Sequence, residues 1–172
     1  MSHTALNWHT PDKNDAILWY YYNTPAGKLI LCTQGKTLCN MHWLTPSSSE
    51  KTPSPVAAEL QKQLRHYWLN SKADITLPLL RQGTSFQQSV WNTLRQIPVG
   101  QTRTYGELAK QLNTSPRALA SACRKNPFPL IIPCHRVLAK TGIGGYAGET
   151  TGKLIEIKTA LLQHEKMISH EL

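Results

Sequence analysis

Turn and breaker residues divide this chain into two stretches of opposite character, and that division limits the fold more than any single motif. Residues 16–22 form an aromatic and apolar run, Thr24-Pro25-Ala26-Gly27 interrupts it, and residues 28–32 resume it. Gln34-Gly35 then turns the chain into a third run at residues 37–43. Short runs of this composition bounded by Gly and Pro read as strands. A Ser/Pro-rich loop follows at residues 46–55. Within residues 56–69, Ala57, Leu60, Leu64, Tyr67 and Trp68 recur at helical spacing, with Glu59 early in the segment. Residues 75–79 read as a last strand or an extended linker, and the strand-rich half ends near Arg81-Gln82-Gly83.

Beyond Gly83 the periodic segments are short and helical. Thr84 or Ser85 caps a predicted helix running to Ile97, with Phe86, Val90, Trp91 and Leu94 on one face, and Pro98-Val99-Gly100 stops it. Thr104 caps a second at residues 105–112. Ser115 is the N-cap of a third, with Pro116 at its first position and residues 117–125 as its body. Two short helices joined by a tight turn have the outline of a helix-turn-helix, an outline that many packed helix pairs share. Residues 154–166 return to helical periodicity. The pattern predicts an α+β protein: a small N-terminal α/β domain with a short sheet and one main helix, residues 1–82, then a mainly helical domain, residues 83–172, containing the helix-turn-helix.

The formal charge is +9, and it is unevenly placed. Residues 86–148 carry eight Lys or Arg against the single acid Glu107, whereas residues 1–85 carry eight basic and five acidic residues. A basic region of this kind suits a polyanion, above all nucleic acid, although a high pI alone does not require such a partner. Residues 1–11 are polar, which argues against a secretory leader. No run approaches the roughly 18 apolar residues of a membrane span. A reduced, cytoplasmic setting with Cys32, Cys39, Cys123 and Cys134 as free thiols is therefore expected. Cys32 and Cys39, seven apart, do not have zinc-ligand spacing, and no metal is expected.

The chemistry concentrates in Pro133-Cys134-His135-Arg136-Val137, which follows the apolar run Leu130, Ile131, Ile132. The thiolate is the nucleophilic form of cysteine, and positive charge or a paired histidine favours it. The plain alternative is a buried cysteine ending a core strand, with His135 and Arg136 in a polar turn. Pro127 and Pro129 impose an extended path into this segment. Gly142-Ile143-Gly144-Gly145-Tyr146-Ala147-Gly148 permits close approach of backbone to a ligand, yet lacks the context of a phosphate-binding loop. A cysteine hydrolase and a plain nucleic-acid-binding module both remain open on these residues.

Several motifs, in order, resemble the O6-alkylguanine-DNA alkyltransferases. They are Gly83-Thr84-Ser85-Phe86-Gln87 with Val90-Trp91, Leu94, Ile97-Pro98, Gly100 and Thr104-Tyr105-Gly106; Asn126-Pro127 with Ile132-Pro133-Cys134-His135-Arg136-Val137; and Leu161-Leu162-Gln163-His164-Glu165. The N-terminal half resembles the family more weakly, through Thr24-Pro25-Ala26-Gly27. The resemblance implies a DNA repair protein that binds double-stranded DNA in the minor groove as a monomer. It flips out an alkylated guanine and moves the O6-alkyl group onto its own cysteine once, without metal or cofactor. That chemistry extends in principle to O4-alkylthymine. Extrusion is what a base atom buried in the stack requires.

The resemblance also implies roles. Cys134 is the nucleophile, His135 the base linked to it through a water, and Glu165 the group that orients the histidine. Asn126 braces the turn that carries Cys134, and Tyr105 acts beside the flipped nucleotide and donates towards guanine N3. Thr104, Tyr105, Arg117, Ala118, Ala120, Ser121 and Arg124 meet DNA, with Arg117 filling the space the base leaves. Val137, Tyr146, Ala147 and Gly148 form the pocket, with Cys134 and Val137 offering backbone oxygens to the guanine amine. The chain departs from the family pattern in three places. Ala120 and Ser121 are bulkier than the usual glycines, Cys123 adds a second thiol, and residues 149–157 carry an insertion after a loop one residue shorter than usual. A non-catalytic relative that senses the lesion typically has another residue where this chain has Cys134.

Overall fold

The three predicted strands pair as an antiparallel meander inside a larger sheet, in a computed structural model that describes residues 5–44, 55–69 and 75–170. The strands are β1 (Trp8–His9), β2 (Ile17–Thr24), β3 (Gly27–Gln34), β4 (Thr37–Trp43) and β5 (Leu79–Leu80). They lie in the order β1-β5-β4-β3-β2. Thr24 makes the first hairpin: its hydroxyl accepts the N–H groups of Ala26 and Gly27 at 3.2 and 3.0 Å and donates to Gly27 O at 2.7 Å. Gly35, at φ 54°, makes the second; an added Cβ there would collide with Asp15. A bulge between Cys32 and Thr33 shifts the β3–β4 register.

Of residues 75–79, read as a last strand or an extended linker, only Leu79 joins a strand, the two-residue β5, because Pro78 has no N–H to give a ladder. Its carbonyl instead accepts from Leu38 at 2.8 Å, and Leu79 continues in parallel beside both β4 and β1. The predicted loop at 46–55 lies outside the described residues up to Pro55, where α1 (Pro55–Leu69) begins. The expected periodicity of α1 buries Leu60, Leu64 and Tyr67. They share the first core with Leu29, Leu31, Leu38, Met41 and Leu79.

The chain divides into two compact units, Met1–Gln82 and Gly83–Leu172. The second is built from α2 (Ser85–Arg95), β6 (Arg103–Thr104), α3 (Tyr105–Gln111), α4 (Pro116–Arg124), β7 (Val137–Leu138) and α5 (Lys153–His170). Thr84 caps α2 and Thr104 caps α3, each in a reciprocal box with the residue three further on, Gln87 and Glu107. Helix α2 stops at Arg95, two residues before the predicted Ile97, as Gln96 and Ile97 tighten onto Thr93 O and Leu94 O at 3.1 Å. Phe86, expected on the buried face of α2, is 40% exposed in its first turn, while Val90, Trp91 and Leu94 are buried.

Helices α3 and α4 make the predicted helix-turn-helix. The turn is a Schellman closure: Asn113 sits at φ 49° and donates to Lys110 O at 3.2 Å, and Thr114 donates to Ala109 O at 2.8 Å. Ser115 then caps α4, with Pro116 in its first turn. Both α2 and α3 pack on α4, and Trp91 Nε1 donates to Ala122 O at 3.0 Å, which fixes the end of α4 that leads into the site. Strands β6 and β7 pair in parallel. No described helix is long and apolar enough to cross a membrane.

Candidate active site

Between α4 and Cys134 the backbone is a succession of turns, not the extended path that Pro127 and Pro129 suggest. Ile132 N–H closes onto Phe128 O at 2.8 Å, and Leu130 takes φ 74°. Pro133 (φ −81°, ψ 63°) centres an inverse γ-turn in which Cys134 N–H donates to Ile132 O at 2.8 Å. A single 3₁₀ turn, Cys134–Arg136, follows and delivers the chain to β7.

Asn126 holds this construction together with three bonds. Its Oδ1 accepts from Phe128 N–H at 2.9 Å; its Nδ2 donates to Ile132 O at 2.8 Å and to Cys134 Sγ at 3.1 Å. Cys134 is buried. Burial pushes its thiol pKa up, opposed by the Asn126 N–H and by the charge of Lys158. Lys158, fully buried, donates to Val137 O at 2.6 Å and to Gly145 O at 2.9 Å. Its own pKa is pushed down to about 8 by burial, against the pull of the two thiols Cys134 and Cys123.

Behind the thiol, His135 Nε2 lies 2.7 Å from Glu165 Oε1, with both side chains buried. Arg136 grips the same carboxylate with Nε at 2.9 Å from Oε2 and Nη2 at 2.8 Å from Oε1, while its Nη1 donates to Ile97 O at 2.6 Å. Burial alone would raise the Glu165 pKa, but His135 and Arg136 overcome it and hold the carboxyl well below its usual range. Burial lowers the His135 pKa, with Glu165 pulling the other way. A neutral imidazole next to a carboxylate places its proton on Nε2 and leaves a lone pair on Nδ1. That Nδ1 is buried and has no hydrogen-bond partner among the described residues.

Cys134 opens onto a cavity of about 430 Å³. Arg117, Ala120, Ser121, Cys123 and Arg124 from α4 form one side. Gly145, Tyr146, Ala147, Gly148, Glu149 and Thr150 form the other, with Tyr105 between them. Tyr105 Oη donates to Gly145 O at 3.4 Å, and burial raises its pKa, so the phenol remains a donor. Tyr146 and Glu149 exchange both backbone hydrogen bonds, at 2.8 and 2.9 Å, around Ala147 (φ 50°) and Gly148 (φ 92°), a tight hairpin on this side of the cavity. A Cβ on Gly148 would lie 2.7 Å from Arg124 Nε.

Of the residues expected from sequence, Cys134, Tyr105, Arg117, Ala120, Ser121, Arg124, Tyr146, Ala147 and Gly148 meet around the cavity, and His135, Glu165 and Asn126 stand behind it. Three lie off its wall. Thr104 is engaged as the α3 cap, Ala118 is half-buried in α4, and Val137 is buried in β7 with its carbonyl on Lys158. Sequence reasoning missed the Arg136 clamp and Lys158. The signal for Lys158 was its spacing from Leu161 and Glu165, which puts a lysine on the buried stripe of α5.

Fold and site define a two-unit α+β protein whose helical half keeps a thiol, backed by a histidine–carboxylate–arginine cluster, at the floor of a cavity with arginines on its wall. The family model described as 6-O-methylguanine DNA methyltransferase, DNA binding domain, matches residues 85–167. The constitutive methylated-DNA–protein-cysteine methyltransferase of Bacillus subtilis is 34% identical over 162 residues, 86% of this chain and 96% of that protein. The Mycobacterium bovis protein of that name is 38% identical over 152 residues, 84% of this chain and 89% of its own. Among solved structures, Mycobacterium tuberculosis O6-methylguanine methyltransferase superposes with a TM-score of 0.74 at 32% identity, covering 88% of this chain and 94% of that one. Mycobacterium tuberculosis OGT in complex with DNA superposes with a TM-score of 0.72 at 35% identity, covering 87% and 93%. The chain belongs to the methylated-DNA–protein-cysteine methyltransferase family.

Proposed function

We propose that this protein repairs DNA by transferring the alkyl group of O6-alkylguanine to Cys134, once per molecule. The observation that carries this reading is the buried Nδ1 of His135, without a partner among the described residues, in the residue next to a thiol that lines a cavity large enough for a nucleobase. A water between Nδ1 and Sγ relays the thiol proton to the imidazole, and Glu165, fixed by Arg136, stabilises the cation formed. The sulfur attacks the alkyl carbon as the carbon–O6 bond breaks, and the electron pair passes into the guanine ring. Tyr105 donates to that developing charge at N3, and the leaving guanine takes back a proton. The Asn126 N–H stabilises the thiolate during attack. The product thioether is stable, so the protein is consumed.

The DNA lies with its minor groove against α4 and the damaged nucleotide is flipped into the cavity, Arg117 standing in for it in the stack. The basic second half supplies phosphate affinity. The protein works as a monomer in the cytoplasm. Intact-protein mass after incubation with an O6-methylguanine duplex tests the reading. One methyl gain that maps to Cys134 is expected, with none in Cys134→Ser, a variant that keeps its DNA binding. Product in excess of protein would indicate a hydrolase, and binding without gain a sensor.

A further inference from the structure

Two thiols line the cavity, and the proposed transfer uses one of them. Cys123 reaches the wall from the last turn of α4 and is 6% exposed. Asn126 ties it to Cys134: the Asn126 backbone N–H donates to Cys123 O at 3.1 Å while its side chain donates to Cys134 Sγ at 3.1 Å. The charges interact as well. A charge on Cys134 raises the Cys123 pKa, Lys158 lowers both thiols, and Tyr105 senses both.

A simple alkyl group ends its history on Cys134 as an inert thioether. A group carrying its own leaving group on the second carbon does not. Once transferred as Cys134–S–CH₂–CH₂–X, with X a halide, the sulfur expels X⁻ and closes a three-membered episulfonium ring. We propose that Cys123 is a second nucleophilic site that captures this intermediate, so that the protein disarms bifunctional alkyl lesions by bridging its own two cysteines. Cys123 Sγ attacks a ring carbon, the bond from that carbon to Cys134 Sγ breaks, and its electron pair returns to that sulfur. The balance is Cys134–S–CH₂CH₂–X + Cys123–SH → Cys134–S–CH₂CH₂–S–Cys123 + HX.

Physical reasons favour Cys123 over its competitors. A reactant held in place competes at an effective concentration far above that of a free one. Burial keeps Cys123 protonated, but the strained ring is a strong enough electrophile to be opened by a thiol whose proton leaves as it attacks. Lys158, still largely a cation with its pKa near 8, lowers the pKa of both thiols and so eases the loss of the Cys123 proton. Without Cys123, the same intermediate would face the DNA that delivered it.

The proposal rests on transfer to Cys134, so the test has two arms: one duplex with O6-methylguanine and one with freshly made O6-(2-chloroethyl)guanine. The methyl arm should add CH₂ and remove one of the four free thiols. The chloroethyl arm should add C₂H₂, remove two thiols, and link the tryptic peptides of residues 118–124 and 126–136. In Cys123→Ser the linked peptides should vanish, replaced by hydroxyethyl on Cys134 and by protein–DNA crosslinks. The inference is overturned by wild-type protein that ends as hydroxyethyl-Cys134 with Cys123 free, that crosslinks mainly to DNA, or that accepts methyl and refuses chloroethyl. Failure of both arms overturns the transfer reading itself.

Discussion

Asn126 Nδ2 points one hydrogen at Ile132 O, 2.8 Å away, and the other at Cys134 Sγ, 3.1 Å away. One amide group thereby fixes both the turn before the cysteine and the charge that develops on its sulfur. Asn126→Ala strips the Ile132 carbonyl, the Phe128 N–H and the thiol of this partner together. A buried group left unpaired costs about 1–3 kcal/mol, so the variant should unfold at a lower urea midpoint and transfer alkyl more slowly. An Asp at the same site keeps the acceptor for Phe128 but places a negative charge against sulfur. It should recover some stability and lose more rate, as urea titration paired with single-turnover kinetics would reveal.

Glu165 is held as a carboxylate and His135 is held neutral, and both facts make acid harmful to the folded second unit. Below pH 6.5, the usual histidine value, the unfolded chain protonates its imidazole while folded His135 resists, so stability falls until the folded ring also takes a proton. Below 4.5, the usual carboxylate value, unfolded Glu165 protonates while the folded group stays charged, and stability falls again. The transfer rate, by contrast, should hold through pH 6.5, where an exposed histidine would already be losing its base form. A rate that halves at pH 6.5 would contradict a neutral buried His135.

Glu165→Gln leaves Arg136 without its counter-charge and His135 without the carboxylate that orients its ring. Breaking a buried ion pair on one side costs about 3–5 kcal/mol, and loss of acid–base assistance costs about 10²- to 10⁴-fold in rate. Thermal unfolding and single-turnover kinetics on the same preparation measure both. Full wild-type rate would remove Glu165 from the mechanism.

Lys158→Met keeps most of the length of the side chain while removing its charge and both of its hydrogen bonds. Val137 O and Gly145 O lose their clamp, and the Cys134 thiol loses the positive charge that opposes its burial. The pH at which Cys134 reacts half-maximally with a small alkylating reagent should therefore move upward. An unchanged midpoint would show that Lys158 only anchors the backbone at Val137 and Gly145.

Arg117→Ala separates flipping from chemistry. Arg117 is exposed at the start of α4 and lines the cavity. Loss of a stacking substitute should slow repair of a paired lesion in duplex DNA by at least tenfold more than reaction with the free modified base, which needs no extrusion. Equal loss on both substrates would place Arg117 in support of the site.

Local chemistry made half of this architecture legible. Thr84, Thr104, Ser115 and Pro116 announce their helices, and Thr24-Pro25-Ala26-Gly27 its hairpin, because each acts within three or four residues of itself. The parallel pairs β1–β5 and β6–β7 left no trace, since two-residue strands carry no periodicity and their partners lie far along the chain. Phe86 misled for a related reason: helical spacing marks a face but not where the neighbouring element ends. In the site, resemblance named Cys134, His135 and Glu165. The grip of Arg136 on Glu165 spans 29 residues, and no spacing rule connects a 3₁₀ turn to the far end of a helix.

Gly148 and Arg124 amount to a single choice made at two positions. The hairpin over the cavity passes so close to α4 that the first carbon of any side chain at 148 would meet the arginine. Shortening Arg124 would clear that space, yet φ 92° at 148 would still favour glycine. An engineer who wants this pocket to admit bulkier alkyl groups should therefore leave 148 alone and diversify 124 together with Glu149 and Thr150. A library built one position at a time would discard those combinations before they could be seen.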